Sequence, residues 1–223
     1  MKLGLSCALV VLLAWNSWSV AAEHRVERLE SPPPEGIAPA IAEQLASTGF
    51  KVLRGENRTV CEIWPAKQWP VKADFSPSGT VLYPFEMGQL MGAIRYPRKG
   101  EDFRGQEIAS GVYILRYAQQ PVDGNHVGTS DTRDFLLLLP AEDDTSPAPV
   151  AKDELFELSA KAAGTTHPAM LSLLAAGEGE SLPAMTHNMD RDLWSLRFAN
   201  QTDAEGQESK LVIELVVVGT APE

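Results

Sequence analysis

From residue 50 to residue 218 the chain consists of short apolar runs, alternating or solid, each soon stopped by glycine, proline, asparagine or aspartate. A side-chain period of two belongs to a pleated strand, and the stop residues are those that let a chain reverse. The pattern predicts strands over 50–54, 59–64, 80–85, 89–96, 111–118, 133–139, 169–174, 193–200 and 211–218. Many short strands with no long helix between them exclude a doubly wound parallel sheet. The expected fold class is therefore all-β, an antiparallel β-sandwich or jelly roll with one or two short helices. The run 211–218 holds one polar residue, Glu214, among Leu, Val and Ile, so it needs both faces covered and is expected at the centre of a sheet or at a protected edge.

Two segments have helical spacing. Ile37, Ile41 and Leu45 recur every fourth residue over 37–46, with Glu43 and Gln44 on the other side and Gly49 beyond the end. Leu155, Phe156, Leu158 and Ala162 form a second stripe that Asp153 is placed to cap and Gly164 to stop. The acidic, proline-containing stretch 142–150 reads as a crossover loop within one domain.

Residues 1–22 have Lys2 near the start, an apolar run over 8–15, and Ser19, Val20, Ala21 and Ala22 at the end. That is the pattern of a signal peptide cut after Ala22, so the protein is expected to be secreted or periplasmic. The apolar run falls short of the about 20 residues a bilayer requires, so no stable membrane span is expected after cleavage. Residues 23–36, with Pro32, Pro33 and Pro34, read as an extended lead-in, and 37–223 as a single domain. Cys7 leaves with the leader, and Cys61, alternating with apolar neighbours, reads as a buried inert thiol. The net charge of −11 argues against nucleic-acid partners and anionic membranes.

The most polar constellation is the connection from Pro121 to Asp134. Counted from Asp123 as position one, Asn125 stands third, Gly128 sixth, Thr129 seventh, Asp131 ninth and Asp134 twelfth, which is part of a calcium-loop pattern. Val127 at the fifth position, Ser130 at the eighth and an Asp for the terminal Glu depart from it, and a glycine-rich β connection explains the same residues. Asp123, Asn125, His126, Asp131, Arg133 and Asp134 are the expected ligand-binding set, with Asp123, His126, Asp131 and His187 as metal candidates for calcium or a transition metal. The base expectation is no cofactor.

An alternative reading is a metal-dependent enzyme on a jelly roll, using His126, His167 or His187 with a carboxylate such as Asp131 or Asp190. No phosphate loop, dinucleotide fingerprint or nucleophile elbow occurs. Trp69, between Gln68 and Pro70, could be a ring for stacking on a sugar as well as a core residue, and an exposed strand edge or the proline-rich lead-in could meet an envelope protein; the sequence names no partner beyond these candidates, carbohydrate and envelope protein.

The stretch Asp102, Phe103, Arg104, Gly105, Gln106, then Gly111 to Tyr117, then Gln120, Pro121, Val122, Asp123, Gly124, Asn125, His126, resembles the central signature of an uncharacterised family of secreted bacterial β-sandwich proteins. The resemblance extends to Arg133, Asp134 and Phe135 and more loosely to His167, Pro168 and Ala169, about a third of the chain. It implies bacterial export and a β-sandwich, carries over no catalytic role, and nominates the same loop. Arg116 and Arg133 are expected to pair with Asp123, Asp131 or Asp134 and stiffen it. The reading as a whole is a secreted, non-enzymatic binding or structural module.

Overall fold

A computed structural model describes residues 23–122, 130–179 and 181–221. In chain order the elements are β1 (His24–Leu29), α1 (Pro39–Ala42), β2 (Gly49–Arg54), β3 (Arg58–Pro65), β4 (Trp69–Pro70), β5 (Leu90–Tyr96), β6 (Gly100–Glu101), β7 (Glu107–Ile108), β8 (Gly111–Gln119), β9 (Asp134–Pro140), α2 (Lys152–Ala163), β10 (Met170–Leu174), β11 (Ala184–Asn188), β12 (Leu193–Ala204) and β13 (Gln207–Val218). The fold is all-β with two short helices. One hydrogen-bonded path runs β1-β2-β3-β5-β8-β9-β10-β13-β12-β11, and β6 and β7 form a separate hairpin. Every pair on that path is antiparallel, whereas β4 joins β12 in parallel through Thr202 opposite Trp69, so the sheet is mixed rather than purely antiparallel.

The sheet curls because alternate side chains of nearly every strand share one interior. Val52, Ile63, Ile94, Leu115, Tyr117, Leu136, Leu138, Leu171, Leu196, Phe198, Ile213 and Leu215 all belong to it. Phe50 on β2 meets Phe198 on β12 at 4.8 Å between ring centroids, so distant parts of the path face each other across the core. The residues between them point outward and are covered too: Ile114 by Ile37, Ile41 and Leu45, and Leu137 and Leu139 by Leu155 of α2. Covering both faces explains why β8 and β9 carry solid apolar runs. The run 211–218 is central as expected, with β13 between β10 and β12.

Several expectations change in three dimensions. Residues 23–36 are not outside the sheet along their whole length, because β1 pairs with β2 from His24 opposite Arg54 to Leu29 opposite Gly49. The helix expected over 37–46 is one turn: Leu45 bridges Ala66, and the Ala46 amide donates to Pro65, which stops the helical ladder. Its apolar stripe is nonetheless buried as read. Residues 80–85 are extended but join no ladder. The Leu82 amide donates to the Asp134 carboxylate at 2.7 Å, and Tyr83 and Phe85 stack inside the core. Helix α2 begins after Ala151, so Asp153 sits in the first turn beside Glu154, favourable to the helix dipole without capping it.

Candidate functional site

Asp123, Asn125 and His126, half of the expected ligand set, lie outside the described residues. The others separate. Asp131 is exposed and accepts two hydrogen bonds from Arg191, at 2.6 and 3.0 Å, which ties the end of its loop to the β11–β12 turn. Arg133 donates from Nε to the Gln120 carbonyl at 2.9 Å rather than to a carboxylate. Asp134 is fully buried, with one oxygen accepting from Leu82 and the other from the Tyr117 hydroxyl, so it pins the extended segment to the sheet and offers nothing to solvent. Burial holds its carboxyl above the usual aspartate range, against the opposing effect of those hydrogen bonds.

Arg116 does not reach this loop either. It donates from Nε at 2.7 Å and from Nη2 at 2.8 Å to Asp144, and its other hydrogens go to the carbonyls of Gly88, Ala148 and Ser146. It therefore clamps the 142–150 crossover onto the sheet. Trp69 is 1% exposed and donates to the Met91 carbonyl at 2.9 Å, so it is core rather than a sugar platform. Burial pushes the Cys61 thiol well up, with the nearby Glu62 charge adding to the effect, as expected of an unreactive thiol.

His187 lies flat on Trp194 at 4.0 Å with Nε2 2.9 Å from Asp192, and His24 tilts onto the same indole at 4.8 Å. His167 stands elsewhere, on the rim of a cleft described below. Among the described residues no group of three or more His, Cys, Asp or Glu is arranged to hold a metal ion.

That cleft is built by an aspartate latch. Asp102, fully buried in the turn between β6 and β7, accepts from the amides of Arg104 and Gln106 through Oδ1, and from Gln106 Nε2 and the Met170 amide through Oδ2, all within 2.8–3.0 Å. Gly105, with φ of +79°, closes the turn. Gln106 Nε2 also donates to Pro168, the Phe103 amide donates to Met170, and Ser159 of α2 donates to Ala169. The hairpin and helix are thus bolted to one segment, 165–170, and stand apart over the outer face of β8 and β9.

Between them opens a cleft of about 210 Å³. Ala118, Phe135 and Leu137 make its floor, Phe156, Pro168 and Met170 its walls, and Arg104, Gln119, Gln120 and His167 its polar edge, with Pro121 leading into the loop. Among the described residues no carboxylate lines it. Chemically this is a small apolar slot with a cation and an imidazole at the mouth.

Comparison with protein-family models, with curated proteins and with solved structures finds no match to this chain. The sequence reading missed the cleft, whose lining residues Arg104, Gln120, Phe135, Phe156 and Met170 come from segments far apart in the chain. Polarity drew attention to 123–134 instead, because an apolar slot and a buried latch have no polar signature.

Proposed function

We propose that this protein is an exported, non-enzymatic binding module that takes a small apolar ligand in the cleft between the β6–β7 hairpin, the outer face of β8 and β9, and α2. The observation that carries the reading is the contrast on the outer face of the sheet. Elsewhere α1 and α2 cover its apolar residues, but here Phe156, Pro168 and Met170 remain partly open around a slot shaped by a fully satisfied hydrogen-bond latch. Export rests on the leader pattern of residues 1–22, and fractionation with N-terminal sequencing tests it, with a mature chain beginning at Glu23 as the expected outcome. The sandwich-like architecture is part of the proposal. It is supported by the contact of Phe50 with Phe198 and by β10, which pairs with β9 through its first residues and with β13 through its last, as a strand passing between two layers does.

Thermal unfolding against a panel of small apolar and aromatic compounds, calcium, zinc and glycans tests the function. A compound that fits raises the melting temperature by about 3–5 °C at ten times its dissociation constant and shifts the Met170 methyl resonance. A calcium- or zinc-dependent rise abolished by Asp123→Asn and Asp131→Ala moves the function to the 123–134 loop. An unchanged melting temperature across the panel overturns the proposal.

A further inference from the structure

Resting on the cleft as a ligand site, we infer that its ligand is an apolar monocarboxylate whose anionic end is taken by Arg104. The first reason is charge. The chain has 30 acidic against 19 basic residues, yet among the described residues no Asp or Glu lines the cleft and the Arg104 guanidinium at its mouth makes no hydrogen bond or ion pair. Some cations of this acidic molecule are paired, Arg116 with Asp144, Arg191 with Asp131, Arg95 with Glu62 and Lys99 with Glu107, whereas Arg104 stands at the edge of an apolar slot. A lone guanidinium beside an apolar slot is complementary to a carboxylate, which it can meet with two parallel N–H donors.

The second reason is how Arg104 is held. Its own amide donates to the buried Asp102 carboxylate at 2.9 Å, so its backbone is fixed by the same latch that seats Met170, another residue lining the cleft. Cation and apolar wall therefore keep a constant relation, which is what recognition of a ligand with one charged and one apolar end requires. His167 lies on the same edge and adds a ring N–H donor.

Size narrows the class. An apolar cavity of about 150 Å³ holds benzene. A cleft of about 210 Å³ then accommodates one ring with a short arm, or an acyl chain of about eight carbons, between Phe135, Phe156 and Met170.

The test is isothermal titration of the full chain with octanoate and with 1-octanol, its neutral counterpart, read in parallel by the Met170 methyl resonance. Octanoate is expected to bind about tenfold more tightly than octanol. Arg104→Gln, a change at an exposed position, should bring octanoate down to the octanol level and leave octanol unchanged. Equal affinity for the two in the wild type, or a preference that survives Arg104→Gln, overturns the carboxylate inference while the cleft remains a binding site. Failure of both compounds to bind or to move Met170 overturns the inference and the cleft together.

Discussion

A guanidinium sealed from water forfeits several kcal/mol of hydration, and only a complete set of acceptors makes its burial tolerable. Arg116 has that set, with every N–H directed at Asp144 or at a carbonyl of the crossover and of Gly88. The partner is nearly as enclosed, Asp144 being 3% exposed. Removing the charge of one member strands the other, so Asp144→Asn is expected to cost about 3–5 kcal/mol in urea unfolding. Replacing both, as Arg116→Met with Asp144→Leu, should cost less than the sum of the two single changes, because neither charge is then left alone. A loss below about 1 kcal/mol for Asp144→Asn would show that the pair does not hold the crossover.

At the scale of elements, helix α2 decides where the cleft's outer wall stands. Its C-terminus is Gly164, with φ of +63°, whose amide returns to Lys161 while Thr165 returns to Ala160. Beyond its own chain neighbours no atom lies within 4 Å of the place a β-carbon would occupy, so substitution there tests backbone conformation without a steric confusion. Gly164→Ala is expected to lower stability by about 1 kcal/mol, and Gly164→Asn by roughly half as much, since Asn tolerates the left-handed region better. Chemical denaturation measures both, and equal stability of the Ala variant and the wild type would contradict the assignment. The same ending delivers Thr165, whose hydroxyl donates to Gln106, to the hairpin, so the stop signal and the cleft rim are one structural feature.

Over the whole molecule, the curl brings the two ends of the strand path together. β1 and β11 have no backbone ladder between them among the described residues, and Trp194 on β12 packs against both His24 of β1 and His187 of β11. His24 is 6% exposed and its Nδ1 has no partner. Burial, then the charges of Arg54 and His187, hold it below the usual histidine range, against the pull of Asp192. A histidine whose folded value is lowered binds its proton more readily when the chain is unfolded. Its contribution is therefore full above the ordinary value of about 6.5 and is lost as pH falls below it toward the folded value. Wild-type stability should accordingly fall between about pH 6.5 and pH 5, and His24→Phe should flatten that fall in urea midpoints taken across the range. An identical pH slope in the two proteins would place the sensitivity elsewhere.

The alternation of side chains along each strand, the need of 211–218 for cover on both faces, the stripe of α2 and its glycine stop are all legible in the chain, because each depends on neighbours a few residues away. The extent of α1, the ladder-free path of 80–85 and the membership of His24 in the sheet are not, because competing long-range partners decide them. The same division runs through the site. The loop at 123–134 announces itself by polarity, whereas the cleft exists only because Asp102 finds Met170 and Gln106 finds Pro168. By itself the sequence determined an all-β chain with a leader-like start and its few helices. Tertiary structure alone decided which carboxylates serve the fold and which surface stays open, because hydrogen bonds between segments far apart in the chain leave no periodic trace in it.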